Sequence, residues 1–240
     1  MFTKINSAIK LGLIDPRLLY LATDIKKSQK TFLGYPQLLS LAENVKSVSE
    51  RNETTPQVAE FGVGRGGSAL LLAWMVNHSG GSLTLFDTFE RIPPPTEPDG
   101  FEAGERYQVI IDRESKDYYG NMPNLLDILK TDLSKICPLE NIEFIQGKYE
   151  DTLPKLYNDR LFDFVHIDCD WYESLTAVYA FLKDHLISGA ILQIDDFLYW
   201  PGAKKATDEV DWLKGYSRKL VGNALVIDTS IQSNSTAVII

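Results

Sequence analysis

From residue 56 onward, short apolar runs alternate with longer segments in which apolar positions return every three or four residues. The runs Val58–Phe61, Ser82–Phe86, Ile142–Ile145, Phe162–Ile167 and Ala190–Ile194 are four to six residues long and predict strands. Between them Gly67–Asn77, Asn121–Ile136 and Glu173–Leu186 carry helical spacing, and a final helix is expected near Ala203–Leu213. Upstream, residues 1–35 read as short helices. "YPQLLSLAENVKSVSE" reads as a longer one, with Pro36 at its first helical position and Leu38, Leu39, Ala42 and Val45 on one face. "KLVGNALVID" and "STAVII" look like a closing pair of antiparallel edge strands.

Strands that alternate with helices imply a mostly parallel sheet with helices on both faces, since a parallel return needs a crossover. Runs such as "FDFVHI" and "AILQI" suit burial on both sides. No repeat or linker divides the chain, so a single α/β domain over residues 1–240 is expected, with residues 1–55 as a helical cover. Residues 88–120, beginning near "RIPPPTEPDG", are too long for an ordinary connection. They are expected to be either a lid over an acceptor site or a disordered surface insertion.

Composition narrows the function classes. The 240 residues suffice for one sizeable core. A net charge of −9 without any lysine or arginine run argues against a phosphate-backbone binder, so no nucleic-acid partner is expected. Two cysteines, Cys137 and Cys169, are too few for a disulfide scaffold. No apolar stretch approaches the roughly 20 residues of a membrane span, and no signal-peptide core is visible. A soluble, cytoplasmic protein with a small-molecule substrate is expected, with monomer or homo-oligomer left open.

The first chemical signal is "VAEFGVGRGG", in which Gly62, Gly64 and Gly67 follow a strand and precede a helix. Glycines permit close backbone approach to a ligand. Asp87 ends the next strand about twenty residues on, where an acid can accept a ribose diol. Glu60 would repel a pyrophosphate if aimed into the crevice, but would attract the ammonium of S-adenosylmethionine. After the third strand, "FIQGKYEDTLPKL" brings Gly147, Tyr149 and Glu150 to a turn that can flank an adenine, or bury Tyr149 as a core aromatic.

The second signal is acidic. "FVHIDCDWYES" ends a strand at Asp168, with Asp170 two residues on, and "LQIDDF" ends the next at Asp195 and Asp196. Carboxylates converging in one crevice need a cation or protons to offset their repulsion. Oxygen ligands without a His/Cys set suit Mg²⁺. Asp170 also suits a cap for the helix that follows.

The ordered set "AEFGVGRGGS", "FDTFERIPPPTEPDG", "QGKYEDTLP", "HIDCDWYES" and "IDDFLYWPGAKKATDE" resembles the macrocin O-methyltransferase family over about residues 56–212. The resemblance implies a class I methyltransferase fold, Rossmann-like, with a seven-stranded sheet whose last strand is antiparallel. It implies metal-dependent methylation of sugar hydroxyls with S-adenosylmethionine, on a natural-product glycoside or a nucleotide sugar. Glu60, Gly62, Gly64, Ser68, Asp87, Thr88, Gly147, Tyr149, Glu150 and Asp168 match cofactor-binding positions, and Asp168, Asp195 and Asp196 match metal-ligand positions. Cys169 stands where the family commonly has glycine, and His166 where a basic residue such as arginine is frequent. For the base that takes the acceptor proton, Asp168 is favoured over His166, which also reads as a satisfied core histidine. Rival readings are a catechol-type O-methyltransferase, a D-x-D metal-dependent glycosyltransferase using "DCD", a nicotinamide oxidoreductase and a non-catalytic cofactor binder. The oxidoreductase leaves both aspartate clusters idle, and the glycosyltransferase gives the glycine loop no task.

Overall fold

A computed structural model of the chain describes residues 2–51, 55–112, 122–156 and 159–233. The parallel strands are β1 (Gln57–Phe61), β2 (Ser82–Asp87), β3 (Ile142–Gln146), β4 (Phe162–Ile167) and β5 (Leu186–Ile194). β7 (Ala224–Gln232) runs antiparallel to both β5 and β6 (Tyr216–Val221), and the sheet order is β3-β2-β1-β4-β5-β7-β6. The chain leaves β1 toward β2 and β3, then crosses back to place β4 on β1's other side. In an open α/β sheet this switch of direction opens a crevice at the carboxyl ends of the central strands.

The helices are α1 (Phe2–Ile14), α2 (Pro16–Lys27), α3 (Tyr35–Arg51), α4 (Gly67–Ser79), α5 (Phe101–Asp112), α6 (Leu125–Leu133), α7 (Tyr149–Thr152), α8 (Tyr172–Leu182) and α9 (Pro201–Asp208). Strand side chains alternate between the two faces. Val58, Leu83, Phe164 and Ile191 pack with α1–α4 and α6, whereas Ala59, Phe61, Val165, Ile167 and Leu192 pack with α8 and α9. The apolar face expected for α3 is buried at Leu38, Leu39, Ala42 and Val45.

Several boundaries differ from the sequence-based ones: α6 covers only Leu125–Leu133 of the expected Asn121–Ile136, and α9 ends at Asp208 rather than near Leu213. α8 stops at Leu182, four residues early, because the Asp184 and His185 N–H groups turn back onto Phe181 and Leu182. The His185 carbonyl then accepts from Phe162, which starts β5 at Leu186. The closing hairpin is centred on "KLVGNALVID", which supplies parts of both strands and the turn at Gly222 (φ +66°) and Asn223, while "STAVII" lies outside the described residues.

The described part of the 88–120 insertion is built into the fold. Asp99 is fully buried and accepts from Thr96 N (2.7 Å), Thr96 Oγ1 (3.1 Å) and Tyr172 N (2.7 Å). Trp171 Nε1 donates to the Pro93 carbonyl at 2.9 Å. Gly202 lets α9 approach, since a Cβ there would stand 1.9 Å from Asp99 Oδ1. These bonds fix residues 93–99 against α8 and α9 as a wall, which answers the disordered-insertion reading for this stretch. Residues 113–121 of the insertion lie outside the described residues. Among the described residues, no helix is long and apolar enough to cross a membrane.

Candidate active site

The carboxyl ends of five strands are stapled in a row. Gly147 N donates to Asp87 O (3.0 Å), Gly62 N to Phe86 O (3.0 Å), Asp168 N to Phe61 O (2.7 Å) and Asp195 N to Ile167 O (2.8 Å). Each strand's first residue beyond the core is thus tied to its neighbour, bringing the glycine loop, Asp87 and the aspartates to one edge. They line a cavity of about 400 Å³, within the range of small-molecule sites. Gly62, Gly64, Ser68, Asp87, Thr88, Gly147, Tyr149, Glu150, Asp168, Asp195 and Asp196 all contribute to it.

Asp87 organises the glycine loop. Its Oδ2 accepts from Val63 N (2.6 Å) and Gly64 N (3.0 Å), and its Oδ1 from Phe89 N (2.7 Å) and Thr88 Oγ1 (3.2 Å). Burial pushes its pKa up, against the lowering pull of these bonds. Asp87→Ala leaves three backbone donors without their carboxylate and should destabilise the cofactor-free protein by about 1.5–3 kcal/mol, the scale of a hydrogen bond to a charged group. Urea unfolding measures this; unchanged stability would remove Asp87 from the loop's support.

Tyr149 is largely a core residue: its hydroxyl donates to Phe86 O at 3.3 Å, and its ring meets Phe61 edge-on at 5.7 Å. Burial drives its pKa well up, and the remaining edge lines the cavity beside exposed Glu150.

Glu60 and His166 require correction. They are register partners on β1 and β4, on the sheet face that packs against α3, and both side chains are fully buried. Glu60 Oε1 meets His166 Nδ1 at 2.9 Å, and neither residue lines the cavity. The ammonium contact expected at Glu60 and the base expected at His166 therefore fall on a buried pair behind the cavity lining rather than on lining residues.

Asp170 also differs from its cap reading. Trp171 is the N-cap residue of α8, and the Tyr172 N–H goes to Asp99, which is 73 residues away in sequence. Asp170 instead lines the cavity and hydrogen-bonds Asp196 and Trp200. Asp170 (φ +58°) and Asp196 (φ +53°) both hold left-handed backbone, which is uncommon outside glycine.

Ligand oxygens of Asp168, Asp195 and Asp196 lie within 4.8 Å of one another. Burial first, then the charges of Asp195, Asp170, Asp196 and Glu60, hold Asp168 well above the usual carboxylate range. Burial, with Asp196 next, pushes Asp195 up to about 7, partly offset by His166. Asp195 Oδ1 is buried and has no hydrogen-bond partner among the described residues. Three converging hard oxygens with one buried atom unsatisfied are the donor set a divalent cation fits. Without a cation, the folded form holds more protons than the unfolded form between 3.8 and about 7 at Asp195. Stability in chelator should therefore fall as pH rises through that window. Urea unfolding at about pH 5 and about pH 8 checks the sign; higher stability at the upper pH would contradict it.

Several cavity residues had no sequence signal. Gln29–Phe32 enter because the α2–α3 connection packs on the glycine loop, where Gly67 N donates to Lys30 O at 3.1 Å. Trp171, Tyr199 and Trp200 form an aromatic wall beside the acids, with ring centroids at 5.2 Å (Trp171–Trp200) and 4.6 Å (Tyr199–Trp200). Asn223 arrives from the β6–β7 turn, where "GN" between two strands marks a hairpin but not a site.

The chain is 29% identical over 182 residues to demethyldecarbamoylnovobiocin O-methyltransferase of Streptomyces niveus, covering 75% of this chain and 66% of the relative. The chain thus spans about two thirds of that curated relative's length. Its fold is similar to that of the O-methyltransferase NovP (TM-score 0.68, 21% identity, 82% of this chain and 81% of the other). It is also similar to CalS11, a calicheamicin methyltransferase (TM-score 0.68, 18% identity, 93% and 91%), which another structure names a TDP-rhamnose 3'-O-methyltransferase. The family model for macrocin O-methyltransferase (TylF) matches residues 4–221. That match spans β1 to β6 and stops just before β7, and the chain belongs to the macrocin O-methyltransferase (TylF) family.

Proposed function

We propose that this chain is an S-adenosylmethionine- and Mg²⁺-dependent O-methyltransferase acting on a sugar hydroxyl of a natural-product glycoside or a nucleotide sugar. The observation that carries the reading is the convergence of Asp168, Asp195 and Asp196 beside the glycine loop in one cavity. Family membership sets aside the oxidoreductase and glycosyltransferase readings. The sugar rests on the relatives: one is named for novobiocin chemistry and another for TDP-rhamnose.

When bound, S-adenosylmethionine supplies a methyl group already activated on sulfur, and a divalent cation supplies Lewis acidity toward the acceptor hydroxyl. Gly62 and Gly64 let backbone approach the cofactor, with Ser68 on the helix behind them and Thr88, Gly147 and Glu150 at the rim. Asp168, Asp195 and Asp196 would hold the cation, and a carboxylate oxygen of Asp168 takes the acceptor proton. Residues 93–99 and the aromatic wall exclude water and orient the acceptor. Aligning both reactants contributes roughly 7–11 kcal/mol.

A catechol-type acceptor is the second reading, favoured by the aromatic wall of Tyr199 and Trp200 beside the acids. Calorimetric titration with S-adenosylmethionine, NAD and a nucleotide sugar, each with and without Mg²⁺, tests the ligand set. Binding of S-adenosylmethionine but not NAD supports the reading, and the reverse sinks it. Turnover of planar catechols with no turnover of any sugar-bearing compound would move the acceptor to the second reading.

A further inference from the structure

Helix α3 carries Gln37, Ser40 and Asn44 at helical spacing, and these polar side chains face the sheet rather than solvent. Gln37 and Ser40 are buried. Asn44 Nδ2 donates to Ser40 Oγ (3.3 Å) and to Oε1 of Gln193 (3.2 Å), a fully buried residue two positions before Asp195 on β5. Gln193 Nε2 donates in turn to the Gln37 main-chain carbonyl at 3.3 Å. A buried polar strip of this kind costs free energy unless its members are paired, and pairing restricts each member to one orientation.

The end of the strip reaches the aspartates. Gln37 Nε2 donates to Asn223 Oδ1 at 2.6 Å, and Asn223 Nδ2 donates to Asp196 Oδ1. The directions are linked: with Oδ1 of Asn223 taken by Gln37, its amide nitrogen must face Asp196. Asn223 is held at its backbone as well, because its carbonyl accepts from Leu198 N at 3.0 Å. The hairpin turn and the Asp196 loop therefore move together. The slot around Gln37 depends on two glycines. A Cβ at Gly34 would stand 2.8 Å from Gln37 Oε1, and one at Gly222 would stand 3.0 Å from its carboxamide.

We propose that Gln37 and Asn223 form a positioning relay that fixes the Asp196 carboxylate for cation binding, making helix α3 part of the active site. The relay rests on the divalent-cation reading given above. Neither residue is a catalytic residue, and Gln37 acts only through Asn223. Supporting groups that orient metal ligands are worth about 10–100-fold in metal affinity.

The test is calorimetric titration of Mg²⁺ alone into the full-length parent, Asn223→Leu, Gln37→Leu and the double variant. S-adenosylmethionine affinity and unfolding in chelator are measured alongside. Neutral replacements leave the charge of the site unchanged. Each single substitution should weaken Mg²⁺ binding by about 10–100-fold. The double variant should be no weaker than the worse single one, since both cut the same chain. S-adenosylmethionine affinity should stay within about twofold, because the glycine loop is on other strands. Should either leucine variant fail to fold, Asn223→Ala and Gln37→Met remove the same donors without the branched side chain. Gln37 variants that bind Mg²⁺ as the parent does would overturn the relay alone. A parent that binds no divalent cation would overturn both the relay and the cation reading.

Discussion

Asp168→Asn should lower the rate of methyl transfer by about a thousandfold, the middle of the range for loss of a positioned proton acceptor. The substitution keeps the shape of the side chain and the backbone bond from Asp168 N to Phe61 O, so the strand end stays in place. It removes a cavity-lining carboxylate that converges with those of Asp195 and Asp196. Cofactor binding should survive, because most of the lining from Gly62 to Ser68 and from Asp87 to Thr88 is untouched. Stopped-time assays paired with a cofactor titration separate the two effects. A variant that turns over at the parent rate would remove Asp168 from the chemistry, and lost cofactor binding would make it a cofactor residue first.

Gly62→Ala should destabilise the fold by about 3 kcal/mol or more, from strain at a special backbone position plus overpacking. Gly62 holds φ +86°, and a Cβ there would stand 1.9 Å from the Asp168 main-chain oxygen. Relief would require β1 and β4 to part at the point where the cavity opens, so cofactor affinity should fall with stability. Gly104→Ala is the matched control: it lies within α5, with nothing within 4 Å of an added Cβ. Replacing that helical glycine should leave stability unchanged or raise it by up to about 1 kcal/mol. Urea unfolding of the two variants measures the contrast, and equal effects would contradict the close packing at Gly62.

The sequence made the sheet and the cavity edge legible because both are local. β4 runs over Phe162–Ile167 as its apolar run predicts, and the glycines and aspartates fall just past strand ends where alternation of helix and strand puts them. Side-chain direction was less legible. With both sheet faces buried, the run around Glu60 gives no polar side to orient it, so a crevice-facing carboxylate and a core carboxyl hydrogen-bonded to His166 look alike in sequence. Long-range partners were not legible at all. Asp170 precedes a helix and invites a cap role, yet the cap comes from Asp99 in the insertion. Asn223 reaches Asp196 through a hairpin whose pairing partner was expected among residues 235–240 rather than at β6. The macrocin-family motifs located most of the residues that line the cavity because their order along the chain mirrors the order of strand ends, a property of topology rather than of any single motif.

Transfer of a labelled methyl group from S-adenosylmethionine to a panel of sugar-bearing and catechol acceptors, run with Mg²⁺ and with chelator, tests the cation-dependent sugar methylation most directly. Label should enter a sugar-bearing acceptor only with Mg²⁺, and transfer lost in chelator should return when Mg²⁺ is restored. Equal transfer in chelator, or label entering catechols alone, would contradict it.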